Sequence, residues 1–178
     1  MQNSEYSDGH WRRLNLPHDW AIEGDFSPSN PSGASGGALP GGIGWYRKHF
    51  SLSPDEKYDR FTITFDGVYM NSTVYINGHK LGTRPYGYST FEYDLTPYIY
   101  KKGDNVIAVK VDNSDQPNSR WYSGCGIYRH VWLTKTLKKA YIPQWGQYVA
   151  TTPKGDVRVK VDFHASGSRM KLSIRNTI

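Results

Sequence analysis

The sequence is short of the residues that most simple chemical roles require. A single cysteine, Cys125, excludes an internal disulfide framework and a cysteine metal cluster. No apolar run approaches membrane-spanning length. The six histidines, His10, His18, His49, His79, His130 and His164, follow no zinc-ligand spacing, and no G-x-S-x-G elbow occurs. Gly41-Gly42-Ile43-Gly44 is glycine-rich but lacks the strand, turn and helix setting of a phosphate cradle. The net charge is +6, yet the basic residues are dispersed, with one short cluster at Lys135, Lys138 and Lys139. That pattern argues against nucleic acid as a partner, and the missing apolar run argues against a membrane. No segment carries the period of an amphipathic helix.

Aromatic residues, by contrast, make up 15% of the chain, including 14 Tyr and 6 Trp. Such a load favours β structure and ring-lined surfaces. Alternation predicts strands at 45–52, 58–65, 72–76, 80–82, 91–95, 105–111 and 127–134. Phe61, Ile63 and Phe65 share one face, as do Ile107, Val109 and Val111. Asn77-Gly78 is the strongest hairpin signal, because both turn positions favour positive φ. Residues 27–44, rich in Pro, Ser and Gly, predict a long loop. Leu16-Pro17-His18-Asp19-Trp20 reads as a segment pinned against a sheet by its aromatics. Many short strands with glycine-rich turns predict an all-β sandwich or jelly roll. Alternation resumes at 148–152, 157–163 and 170–175, too few strands for a complete immunoglobulin-like sandwich. The expected division is a jelly-roll domain over 1–137, then a linker and the beginning of an immunoglobulin-like β-sandwich over 138–178.

The segment from Asn113 to Trp132 is polar, aromatic and glycine-rich between two strands. Sugar binding asks for planar hydrogen-bonding side chains at ring hydroxyls and aromatic faces against C–H groups. Asn113, Asp115, Asn118, Arg120, Trp121 and Tyr122 meet that need and form the candidate substrate-binding set. Tyr86 and Tyr88 add two rings on a hairpin-like connection. Gly124 and Gly126 permit tight turns, and Cys125 between them reads as a packing residue. Glycoside hydrolysis needs two facing carboxyl groups. Asp19, Glu23, Asp25, Asp66, Glu92, Asp94, Asp112 and Asp115 are the candidates, and local turn or capping duties account for Asp66 and Asp94. No pair stands out, and no catalytic residue is assigned.

Several segments in order resemble one family: Leu16 to Trp20, Pro40 to Lys48, Phe65 to Ser72, Ile76 to Gly78, Gly82 to Tyr88, Tyr93 to Thr96, and Asn118 to Trp132. Together they resemble the N-terminal region of glycoside hydrolase family 2 enzymes, especially bacterial β-galactosidases of the Bacteroides type. The resemblance implies a galactose-binding-like jelly roll, then an immunoglobulin-like domain, then a C-terminal catalytic (β/α)₈ barrel. It implies a retaining exo-glycosidase whose two catalytic glutamates lie in that barrel, outside these residues. The chain is then a non-catalytic N-terminal part that shapes the rim of a pocket for terminal β-D-galactosides. The family places a substrate-touching carboxylate six residues before the glycine of its Gly-Ile-aromatic-Arg segment. Here that position is Arg120, which suits a β-glucuronide as the alternative sugar.

No cofactor is demanded by these residues; some enzymes of this type use Mg²⁺ or Na⁺ near the barrel site. The resemblance leaves homo-oligomerisation of the parent enzyme open. Met1 opens a polar stretch without a secretory signal pattern. The expected compartment is periplasmic or secreted in a bacterium, with the cytoplasm as the alternative. Two other classes stay open: a carbohydrate-binding module without a hydrolytic partner, and a structural domain in which Trp121, Tyr122 and Arg120 are buried or locally paired.

Overall fold

The computed structural model describes residues 1–167, 171, 173–175 and 177. Its strands are β1 (Gly42–Ser51), β2 (Arg60–Phe65), β3 (Ser72–Ile76), β4 (His79–Arg84), β5 (Phe91–Asp94), β6 (Asp104–Asn113), β7 (Val131–Thr136), β8 (Ala140–Tyr141), β9 (Gln147–Thr151), β10 (Val157–Val161) and β11 (His164–Ala165). Two single 3₁₀ turns, Ala21–Glu23 and Ala34–Gly36, are the helical content of the described residues. None of that helix is long and apolar enough to cross a membrane.

One sheet has the order β1-β6-β3-β4, and a second has the order β5-β2-β7, with every pairing antiparallel. The sheets face each other as a jelly-roll β-sandwich. Period-2 alternation aims Phe61, Ile63 and Phe65 of β2 at Ile107, Val109 and Val111 of β6, and Val74 and Ile76 of β3 complete the same core. Phe65 stacks on Phe91 with ring centroids 5.1 Å apart. Burying side chains of this size contributes about 1.5–3 kcal/mol each. The expected strands of the sandwich form and β3 keeps its predicted bounds, but the strand expected at 127–134 begins only at Val131, because Ile127 is held in the loop by the leader. The segment 85–90 departs from expectation. It does not close a hairpin, because β4 and β5 belong to different sheets, so Tyr86 and Tyr88 ride on a crossover at one end of the sandwich.

Beyond β7 the strands leave these two sheets. β8 pairs with β11, and β9 pairs with β10, as separate two-stranded sheets. The strand expected at 170–175 includes Met170 and Leu172, which lie outside the described residues.

Irregular chain covers both outer faces of the sandwich. The Arg47 guanidinium donates to Asp8 Oδ2 at 2.7 Å and to the carbonyls of Met1, Asn3, Ser4 and Tyr6. This fan of bonds lays residues 1–8 against the four-stranded sheet. His49, two residues along β1, sits between Asp8 Oδ2 (2.9 Å) and Asp104 Oδ2 (2.5 Å). On the three-stranded sheet, Thr62 and Thr64 point outward yet are buried, and both hydroxyls donate to Glu92 Oε2. Arg60 lies 3.6 Å from Glu92 Oε1 and 4.0 Å over the Tyr141 ring, which draws the segment after β7 onto this face.

A buried polar network sets the β3–β4 turn against β6. Asn77 and Gly78 have φ of 49° and 84°, as a two-residue hairpin turn requires. Asn77 Oδ1 accepts the Val106 amide at 2.8 Å, and its Nδ2 donates to Tyr98 O and to Asn105 Oδ1. Asn105 holds Tyr100 by both main-chain groups, at 2.7 and 2.8 Å.

Asn105→Ala removes the side chain that holds both main-chain groups of Tyr100 and the buried Asn77 amide, so we expect a loss of about 1–3 kcal/mol in urea unfolding. A second outcome concerns His49. Hydrogen bonds to Asp104 and then Asp8 raise its pKa above the ordinary 6.5. Its contribution is therefore complete below pH 6.5 and is lost as pH rises through the raised value. The difference in melting temperature between the native chain and His49→Gln should shrink from about pH 6 to about pH 9.

Candidate functional site

The loop between β6 and β7 folds back on the sandwich end through main-chain contacts with the leader. His18 N donates to Ile127 O at 2.8 Å, and Trp20 N donates to Cys125 O at 3.0 Å. Tyr69 and Gly126 exchange two backbone bonds of 2.9 Å from the other side. The segment 125–127 is thus held between the leader and the β2–β3 connection.

Asp19 organises this junction. Its Oδ1 accepts the amides of Ala21 (2.9 Å) and Cys125 (2.8 Å), and its Oδ2 accepts the Tyr122 hydroxyl. Gly124 has φ of 75°, and a Cβ there falls 2.7 Å from Asp19 Oδ2. Gly126 has φ of 125°, and a Cβ there meets the Tyr46 hydroxyl and His18 O. Both positions need glycine for backbone sign and for space. Burial pushes the Cys125 thiol up to about 11, which suits the packing role expected of it. Burial, and then the Asp19 contact, pushes the Tyr122 phenol upward as well.

The six predicted residues separate into two groups. Asn113 is 1% exposed, and its Nδ2 donates to Gly124 O and Cys125 Sγ, both at 3.0 Å. Its Oδ1 accepts Asn118 Nδ2 at 2.7 Å. Asn113 faces inward and braces the loop. The other five, Asp115, Asn118, Arg120, Trp121 and Tyr122, lie on the loop's exposed side. Asn118 is fixed by Asn113, by the Asp115 carbonyl at 3.0 Å and by the Tyr69 hydroxyl at 3.1 Å. Trp121 is 60% exposed while its Nε1 donates to Tyr88 Oη at 3.2 Å. Tyr88 packs edge-on to Tyr86 and lies 5.3 Å from Tyr69, so the crossover and the loop share one aromatic shelf. Arg120 is exposed and forms no ion pair among the described residues. Trp121 and Tyr122 are exposed yet locally paired, with Tyr88 and Asp19, whereas Arg120 has neither the burial nor an ion pair among the described residues that a purely structural loop requires.

Most of the carboxylates weighed for catalysis are tied up locally. Asp19 serves backbone amides, Glu23 pairs with Arg12 at 2.6 Å, and Asp66 accepts Trp132 Nε1 at 2.9 Å. Asp94 caps the Thr96 amide at 2.8 Å, as its sequence position implied, and Asp112 holds Lys110 and Ser114. Sequence reasoning missed Tyr69, whose ring and hydroxyl link the shelf to Asn118. Its only signal was a place in the run Phe65 to Ser72. It also missed the bracing role of Asp19, which becomes visible only when Cys125 is seen beside it.

The sugar binding domain of glycosyl hydrolases family 2 matches residues 38–137. The chain is 63% identical to a β-galactosidase of Bacteroides ovatus over 147 residues, covering 83% of this chain and 17% of that protein. It is 35% identical to a β-glucuronidase of Formosa agariphila over 147 residues, covering 74% of this chain and 15% of that protein. The chain therefore spans less than a fifth of the length of either relative. A crystal structure of a β-glycosidase from Bacteroides vulgatus superposes with a TM-score of 0.87 at 42% identity, over 94% of this chain and 22% of that one.

Removing the Asp19 carboxylate should free the loop before it unfolds the sandwich. Asp19→Ala is expected to cost about 2–3 kcal/mol and to speed amide exchange at Cys125 selectively. Asp19→Asn, which keeps an oxygen acceptor, should restore most of the protection.

Proposed function

Since the chain belongs to the family 2 glycosyl hydrolases through its sugar-binding domain, we propose that it is the non-catalytic N-terminal part of a retaining exo-glycosidase. It shapes the rim of a pocket that takes terminal β-D-galactosides. The observation that carries this reading is the loop from Asp115 to Tyr122. Asn118 is held by Asn113, the Asp115 carbonyl and Tyr69, and Trp121 by Tyr88, while a guanidinium, an indole face and a carboxylate stay turned to solvent. Ordering a loop this firmly while leaving its polar and aromatic surface unused is what a preformed sugar contact needs.

The reaction itself belongs to residues outside this chain. Retention calls for two carboxyl groups about 5–5.5 Å apart, one as acid/base and one as nucleophile. We assign that pair to a C-terminal barrel, together with any Mg²⁺ or Na⁺ requirement. Residues 138–178 are the approach to that barrel through an immunoglobulin-like domain. The contribution of Asp115, Asn118, Arg120, Trp121 and Tyr122 is to bind and orient. Trp121 offers a flat apolar face to sugar C–H groups, and Asn118 and Asp115 address hydroxyls. A β-glucuronide is the second reading, favoured by one feature: Arg120 is an unpaired guanidinium at the rim, suited to bidentate contact with a sugar carboxylate.

Hydrolysis of aryl β-galactoside and aryl β-glucuronide should be compared for this chain and for the full-length protein. We expect activity only in the full-length protein, with the galactoside preferred. Trp121→Ala in the full-length protein should lower kcat/KM by about tenfold, equivalent to 1.4 kcal/mol. Hydrolysis by the 178-residue chain alone would sink the non-catalytic assignment. A glucuronide preference abolished by Arg120→Ala would exchange the first sugar for the second.

A further inference from the structure

The outer face of the three-stranded sheet carries a polar pocket of about 390 Å³, lined by no residue of the rim loop. Its floor is Arg60 and Thr62 of β2, Glu92 of β5 and Thr134 of β7. Its far wall is the turn 142–147, so both sides are built by this chain. The volume falls within the ~300–1,000 Å³ of small-molecule sites. The floor is fixed before any ligand arrives. Glu92 Oε2 already accepts the Thr62 and Thr64 hydroxyls, and Arg60 is held over the Tyr141 ring. Arg60 and Glu92 lie 3.6 Å apart, so one cation and one anion offset each other at the bottom of the pocket.

The turn adds a tryptophan in an unusual state. Gly146 N donates to Pro143 O at 2.9 Å, which puts Trp145 at the third turn position with φ of 63°. That position favours glycine or asparagine, and a bulky side chain there is strained. Gly146 O accepts the Asp162 amide at 2.7 Å, which fixes the turn against the chain beyond β10. Trp145 is nevertheless 78% exposed. Each of the other five tryptophans has a ring partner or an indole hydrogen bond, and Trp145 has neither among the described residues. A ring that is strained, exposed and unpartnered serves something other than packing. Trp132 lies on the same outward face as Thr134, ~7 Å along β7. It is 54% exposed, and Asp66 holds its indole N–H.

We propose that this pocket is a second carbohydrate site, separate from the rim, which takes one unit of a neutral oligosaccharide. Trp145 gives a flat apolar face to sugar C–H groups, and Glu92 Oε1 and the Gln147 amide address hydroxyls. The open face of Trp132 receives a neighbouring unit of the same chain. A charged sugar is disfavoured, because Arg60 and Glu92 already satisfy each other's charge and neither has a free counter-ion to offer. The site holds a sugar chain against the protein and takes no part in bond cleavage. This inference does not rest on the rim or on which sugar is hydrolysed.

Calorimetric titration of the full-length protein tests it. The probe is a thio-linked β-galactosyl disaccharide, which resists hydrolysis, added with the catalytic pocket filled by an excess of an inhibitory iminosugar. Residual binding is expected. Trp145→Gly should weaken it at least about tenfold, while Trp121→Ala should leave it unchanged. Glycine suits the left-handed turn position, so Trp145→Gly keeps the fold and the melting temperature. Gln147→Ala, on the adjoining strand, gives a second variant that should also weaken binding. No residual binding overturns the inference, as does residual binding indifferent to both variants. Loss of that binding on Trp121→Ala overturns it too, by returning the sugar to the rim. Tighter binding of a glucuronide disaccharide overturns the neutral class of ligand. Absence of glycoside hydrolysis by the full-length protein would instead defeat the rim reading and leave this result standing.

Discussion

Asp19 brings together two segments 106 residues apart by giving one carboxylate oxygen to the Cys125 amide and the Ala21 amide at once. Much of the candidate site follows from that contact. The carboxylate occupies the space beside residue 124, so only glycine fits there. The chain then turns back through Gly126, where Tyr46 and His18 press from below. Asn113 closes the rear of the loop by binding Gly124 and Cys125. Charge-assisted bonds in a partly buried setting are stronger than neutral ones and costly to leave unmade. The direction in which Arg120 and Trp121 project is set by groups on the loop's hidden side.

The same economy governs the two outer faces of the sandwich. Thr62 and Thr64 would be solvent-facing in an isolated sheet, yet Glu92, Arg60 and Tyr141 enclose them. On the opposite face Arg47 gathers four backbone carbonyls and one carboxylate from the leader. Polar cover of this kind is specific, because each bond has a direction and a fixed length. Apolar cover, by contrast, accepts any complementary shape.

Much of the fold was legible because it rests on local rules. Alternation located β2, β3 and β6, and Asn77-Gly78 fixed a turn whose φ values admit few other residues. The crossover at Tyr86 to Tyr88 was not legible, since a short glycine-containing connection looks the same whether strands stay in one sheet or change sheets. Site residues were legible as a group and not one by one. A polar aromatic loop announces a surface, but Asn113 and Asn118 differ only in which way the chain faces them, and that depends on Asp19.

Cys125 gives the site an intrinsic reporter. Its thiol lies under the loop, 3.0 Å from Asn113 Nδ2 and 3.7 Å from the Pro40 carbonyl, and burial keeps it protonated at neutral pH. An alkylating reagent reaches it only when the loop lifts away from Asp19. Because the sequence holds no other sulfhydryl, the rate of that single reaction counts how often the sugar-facing surface comes apart. The natural breathing of the site is thus measurable in the 178-residue chain with no label introduced.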